Sequence, residues 1–149
     1  MTDQYSMMKT QMIRISKRFI LSVLIIGATA AFAQAQTQMQ MNKEACDAYK
    51  KADAEMNRAY QKILAEYKTD AQFIQKLKLA QRAWIAFRDA HVESVYPAIN
   101  KRAEYGSINP MCQCKILEEL TTARTRMLRE WIDGVEEGDA CAGSIKSRK

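Results

Sequence analysis

Helix breakers are scarce in this 149-residue chain, which holds two prolines and five glycines. No run of residues alternates convincingly between apolar and polar with period two, so strands are excluded. Histidine is almost absent. The single His91 has no motif that places a nucleophile or a second titrating group beside it, which argues against a histidine base. There is no phosphate-binding loop, no serine nucleophile motif and no zinc signature, and the chain is not expected to be an enzyme. The one long apolar run, Phe19 to Ala33, is 15 residues, short of the roughly 20 that span a bilayer. What remains is a helical, non-catalytic chain.

That apolar run has the context of an export signal. Lys9, Arg14, Lys17 and Arg18 precede it, and Ala31-Phe32-Ala33 and Ala33-Gln34-Ala35 offer small-x-small cleavage sites. Residues 1–35 therefore read as a cleavable signal peptide, with Met7, Met8 and Met12 as alternative starts. No cysteine follows closely enough for lipid attachment. The segment holds four basic residues and one acidic one, so of the formal charge of +6 only +3 stays with residues 36–149. Mixed signs at that net charge give no ground for a nucleic-acid partner.

All four cysteines, Cys46, Cys112, Cys114 and Cys141, lie after the signal. In an exported chain an even count points to disulfides. One intervening residue makes a Cys112–Cys114 bond unfavourable. Two arrangements stay open: 46–112 with 114–141, or 46–114 with 112–141. Both anchor the tail through Cys141.

The remaining chain divides into a flexible N-terminal segment over residues 36–42, a helical domain over 43–133 and a tail over 134–149 held through Cys141. Tyr49, Ala52, Met56, Tyr60, Ile63, Leu64 and Tyr67 recur at three- and four-residue steps and predict a first amphipathic helix. Thr69-Asp70-Ala71-Gln72 fits a capping box with Thr69 as cap. A second helix carries Phe73, Ile74, Leu77, Ala80, Trp84, Val92 and Val95, and Pro97 ends it at Tyr96. The connector Pro97 to Ile108 has room for a helical turn ending at Gly106. Asn109-Pro110 starts a third helix, with Asn109 as cap. That helix shows Ile116, Leu117, Leu120, Met127, Leu128, Trp131 and Ile132, and Gly134 stops it. The expected fold is all-α, an antiparallel three-helix bundle crosslinked by disulfides.

Polar residues interrupt the apolar faces. Arg88 lies four after Trp84 and in line with Gln81, while Arg124 lies four after Leu120 and three before Met127. Both arginines point inward, and a buried guanidinium needs a partner. Asp53, Glu55 and Asn57 are the nearest candidate acceptors. An internal network that fixes helix register is the first reading, and a cleft for an anionic ligand the second. Met39, Met41, Met111, Cys112 and Cys114 would suit copper(I), but disulfides claim the thiols, so neither metal nor cofactor is expected.

The string from Asp53 to Tyr60 (DAEMNRAY) and the string from Ala80 to Ala90 (AQRAWIAFRDA) resemble the LprI-like lysozyme-inhibitor N-terminal domain family. Tyr105 to Ile108 (YGSI) and Cys114 to Arg124 (CKILEELTTAR) resemble its Gly-Ser loop and its third helix. The resemblance covers roughly Cys46 to Leu128. It marks Asn57, Tyr60, Gln81, Trp84, Arg88, Asp89, Gly106 and Arg124 as family motif positions. Members often carry a cysteine two residues after Arg-Asp-Ala, paired with the cysteine of the third helix. Here that position is Val92, so Cys114 must find another partner.

The resemblance implies a periplasmic or secreted protein whose partner is a lysozyme or another envelope protein, with no stable membrane span after signal cleavage. Lysozymes carry two catalytic carboxylates in a cleft. Lys101, Arg102, Tyr105 and Ser107 of the connector are the candidate partner-binding residues, because a loop bearing basic and hydroxyl groups could block such a cleft. A competing reading is an envelope structural or stress-adaptation module without lysozyme activity.

Overall fold

Met56, Ala59, Ile63 and Tyr67 follow one another at three- and four-residue steps, and all four are buried. This is the period of one helical face. In the computed structural model, which describes residues 36–148, they lie on or just beyond helix α1, residues 36–66. The expected signal peptide lies outside the described residues. The chain divides into two compact units, Met1–Gln40 and Met41–Lys149. Of the first only the helical residues 36–40 are described. The fold below is that of the second.

Three more helices follow: α2, Ala71–Val95, α3, Lys101–Tyr105, and α4, Asn109–Asp133. The described residues are mostly helical and contain no strand. A lone bridge joins Val135 to Ser147. Among them no helix is long and apolar enough to cross a membrane.

Several local expectations need correction. Residues 36–42, expected to be a segment without regular structure, are helical. They contain neither glycine nor proline, and glutamine and methionine are good helix formers. The cap of α2 is Asp70, not Thr69. The Asp70 carboxylate accepts from the Phe73 amide at 2.9 Å, and a charged acceptor also suits the positive end of the helix dipole. At α4 the cap falls on Ile108, without a side-chain bond. Asn109 sits inside the helix, buried, with its side-chain carbonyl accepting from Gln113. Two boundaries agree with the sequence. Helix α2 stops one residue short of the Tyr96 that precedes Pro97, and Gly134 closes α4 at φ 72°.

The core is small. Met56, Ala59, Ile63, Tyr67, Leu77 and Leu128 form its centre, with Tyr60, Leu64, Phe73, Ile74, Trp84, Trp131 and Ile132 packed around them. Contacts tie the helices in a definite order. From α1 to α2 they include Asp53 with Arg88 and Met56 with Gln81, and the Tyr67 ring beyond α1 meets Phe73. From α1 to α4 they run Cys46 to Cys114, and Tyr67 meets Trp131 beyond that. From α2 to α4 they run Gln81 to Arg124 and Phe73 to Trp131.

The buried face of α4 is partly polar. Thr121 and Thr125 are both buried, and the Thr125 hydroxyl donates to the Thr121 carbonyl at 2.9 Å. A count of apolar residues passes over them and favours Met127, which is exposed. Ala80 and Val95, expected on the inner stripe of α2, are exposed as well.

One disulfide forms, Cys46–Cys114, with Cα atoms 4.9 Å apart. It is half of one of the two expected arrangements. The other half, Cys112–Cys141, is absent: both thiols are free. Cys112 lies in the first turn of α4 and Cys141 lies beyond the far end of that helix. The 21 residues of α4 after Cys112 rise about 32 Å at 1.5 Å each, too far for a bond.

The tail is held by other means. Val135 and Lys146 share a backbone bond, as do Arg148 and Val135. The Lys146 amide donates to the Tyr67 hydroxyl at 3.3 Å, and that hydroxyl donates to the Trp131 carbonyl at 3.1 Å. The Trp131 indole donates to Ser144 Oγ at 3.0 Å. The Lys146 ammonium lies 4.1 Å from the centre of the Tyr67 ring, a favourable cation–π distance.

Candidate functional site

The two inward arginines have different surroundings. Arg88 is 9% exposed, and its Nε and Nη2 both reach Asp89 Oδ1 at 2.8 Å. Its Nη1 reaches Asp53 Oδ1 at 3.4 Å. The Asn57 amide donates to the other Asp53 oxygen at 2.9 Å and so orients that carboxylate. The guanidinium carbon lies 5.7 Å from the Tyr49 ring centre and 5.4 Å from that of Trp84. Burial pushes the Arg88 pKa down, but the Asp89 hydrogen bond and the nearby Tyr49 and acids outweigh it, and the pKa is raised. Burial also raises the Tyr49 phenol, and the Arg88 charge only partly offsets this. The donors of Arg88 are engaged within the protein. Its geometry is that of an internal network, the first of the two readings.

Arg124 has no carboxylate partner among the described residues. Its Nε donates to Gln81 Oε1 at 3.0 Å, and Gln81 Nε2 reaches back to Met56 Sδ at 3.4 Å. Burial alone lowers its pKa. Gln81 is thus the central connector of the core, buried at 5% and bonded to both flanking helices. Glu55, a candidate acceptor, meets neither arginine. It lines a shallow groove of about 340 Å³ with Arg58, Ala59, Lys62, Arg129, Ile132 and Asp133. Tyr60 packs against the core. His91 is exposed, its ring 5.8 Å from that of Phe87.

The connector between α2 and α4 brings the proposed partner-binding residues together but gives them unequal freedom. Lys101 is ion-paired to Glu93 at 2.7 Å. Tyr105 is half-buried. Its hydroxyl accepts from the Ala98 amide at 3.3 Å, and its ring meets Tyr96 edge-on at 5.2 Å. The Ser107 carbonyl accepts from Asn42 at 2.9 Å. Gly106 takes φ 72°, with open space where a Cβ would sit. Arg102 is exposed. Asn100 caps the short α3 by accepting from the Ala103 amide at 3.1 Å. Behind the connector, the Tyr96 phenol is raised by burial and by its hydrogen bond with Cys112.

At this end of the molecule, the residue that sequence reasoning passed over is apolar. Ile99 protrudes fully, at 106% of its reference accessibility, and Val95 and Ile108 at the same end are exposed at 43% and 44%. The only signal in the sequence was an isoleucine placed between Pro97-Ala98 and Asn100, in a segment otherwise read for its charges.

Comparison with known proteins bears on this arrangement. The sequence model of a family described as "Lysozyme inhibitor LprI" matches residues 28–128. The chain is 34% identical over 135 residues to an uncharacterized protein, R02472, of Rhizobium meliloti (strain 1021). That alignment covers 78% of this chain and 94% of that protein. No solved structure matches the chain.

Proposed function

This chain belongs to the LprI lysozyme inhibitor family, and from that membership we propose that it is an exported protein that blocks a lysozyme cleft by protein–protein contact. The observation that carries the reading is the family match over residues 28–128, which takes in α2, α3 and the connector whole. Residues 1–35 act as the export signal in this reading, and the protein works in the periplasm or beyond. The family is one of inhibitors, and the role proposed for this chain is binding without catalysis.

The contacting element is the Pro97–Ile108 connector. A cleft with two carboxylates presents negative charge, and the exposed Arg102 supplies a matching cation. Lys101 and Tyr105 contribute by shaping the loop, since their side chains are already engaged within the fold, and Ser107 is held there through its main-chain carbonyl. Three long helices running up, down and up form the support, a reading favoured by the order of the interhelical contacts. The Arg88–Asp53–Asp89 network sets their register.

The test is direct. The full chain, expressed with its leader and recovered oxidised from the export compartment, is added to chicken-type and goose-type lysozymes while cell-wall lysis is followed. Dose-dependent inhibition is expected, lost on reduction. Absence of inhibition of both enzymes removes the proposal.

A further inference from the structure

We infer that Ile99 is the side chain that enters the partner, seated in an apolar part of a lysozyme-type cleft beside its carboxylates, with Arg102 as the accompanying cation. This deepens the inhibitor reading and rests on it.

The first observation is exposure. Ile99 is accessible at 106%, whereas the next most exposed large hydrophobic among the described residues, Met39, stands at 68%. An isoleucine wholly in water forgoes the free energy of burying its side chain, which a partner's pocket would recover.

The second observation is rigidity. The residues on either side of Ile99 are held. Pro97 fixes its own φ, the Ala98 amide donates to Tyr105 Oη, and Asn100 caps α3 through both its side chain and its carbonyl. The Tyr96–Tyr105 contact and the Lys101–Glu93 ion pair brace the loop from below. A side chain presented on a pre-ordered backbone loses less conformational freedom on binding.

The third observation is shape and charge. Its chain neighbours Ala98 and Asn100 are small or polar, and Val95 and Ile108 at the same end are less than half as exposed, so Ile99 stands out as a knob. A knob needs a concave partner. It does not give the broad self-matching patch that a two-fold dimer requires. Within the connector Lys101 is neutralised by Glu93, while Arg102 pairs with no carboxylate among the described residues. One apolar knob beside one free cation matches a concave site that combines apolar walls with carboxylates.

The experiment measures binding of the full oxidised chain to chicken-type and goose-type lysozymes, for the wild type and for Ile99→Ala, Ile99→Asp and Leu79→Ala. Leu79 is an exposed residue on the opposite part of α2, and its variant controls for loss of any surface hydrophobe. Thermal unfolding of each variant verifies that the fold is intact. Wild-type binding that weakens at least tenfold with Ile99→Ala and at least a hundredfold with Ile99→Asp, with Leu79→Ala unchanged, is expected. Wild-type binding that Ile99→Asp leaves within twofold overturns the inference while leaving the inhibitor reading standing. So does a loss seen with Leu79→Ala and not at Ile99. If the wild type binds neither lysozyme, the inhibitor reading fails and this inference falls with it.

Discussion

Replacing Cys46 and Cys114 together by serine tests the central structural claim, that a single bond between α1 and α4 staples a small core. The bond joins residues 68 apart in sequence. In the chain-entropy account, a loop of that length contributes about 4.4 kcal/mol at 25 °C by restricting the unfolded chain. Small domains have total stabilities of roughly 5–15 kcal/mol, so the variant should sit near the margin of folding. Urea unfolding followed by helical circular dichroism reads the loss. With a slope of roughly 1–3 kcal/mol per molar urea, the midpoint should fall by about 1.5–4 M. Reduced wild-type protein should unfold at the same midpoint as the double variant, because both lack the same crosslink. Cys112→Ser and Cys141→Ser should each leave the midpoint unchanged in oxidised protein, since both thiols are free. A loss below about 1 kcal/mol on removing Cys46 and Cys114 would refute the staple argument. A large loss from Cys141→Ser would show that the pairing is wrong.

Other outcomes follow from particular contacts. Gly134→Ala should destabilise more than Gly106→Ala. Both glycines have φ 72°, but a Cβ at Gly134 would lie 2.7 Å from the Lys146 carbonyl while at Gly106 it meets open space. Urea midpoints for the two variants make that comparison, with about 1–3 kcal/mol expected at Gly106, whose ψ is −167°, from conformation alone. Leu128→Ala empties the middle of the core, where Leu128 is wholly buried, and should cost about 2–5 kcal/mol in the same assay. Gln81→Leu removes the acceptor of Arg124 Nε and should cost about 1.5–3 kcal/mol, the range for a hydrogen bond to a charged group. The raised pKa values of Tyr49 and Tyr96 mean that the fold retains these phenolic protons more tightly than the unfolded chain. Their contribution is full below the ordinary tyrosine value of about 10 and is lost as pH rises through the higher folded values. Unfolding free energy should fall across that alkaline range as tyrosinate absorbance rises; constant stability would contradict the assignment.

The helices and most of their limits could be read from the chain because they depend on neighbours in sequence. Pro97 forbids the preceding residue its helical geometry, and Gly134 accepts a positive φ, whatever lies beyond. The error of one residue at Thr69 against Asp70 arose where two adjacent polar residues could both serve as a cap, and that at Asn109 against Ile108 arose because packing buries Asn109 inside the helix and leaves the cap position without a side-chain bond. The threonines of α4 were missed because apolar periodicity does not count hydroxyl-bearing residues, although the Thr125 hydroxyl bonds to its own helix and both side chains are buried. The inward direction of Arg88 and Arg124 was visible from spacing alone. Their partners were not: Asp53 could be named for Arg88, but nothing local set Gln81 against Arg124.

The sequence by itself therefore determined the three long helices, most of their ends and which arginines turn inward, since these follow from spacing, caps and breakers within a few residues. Tertiary structure alone decided the rest. Packing chose Cys114 over Cys112 as the partner of Cys46, and the length of α4 between Cys112 and the tail leaves Cys112 and Cys141 as free thiols. The tail is held by Tyr67 and Trp131, residues 64 apart, and no local rule brings them together. Ile99 stands fully in solvent because the packed helices cover part of Val95 and Ile108 at the same end and none of Ile99.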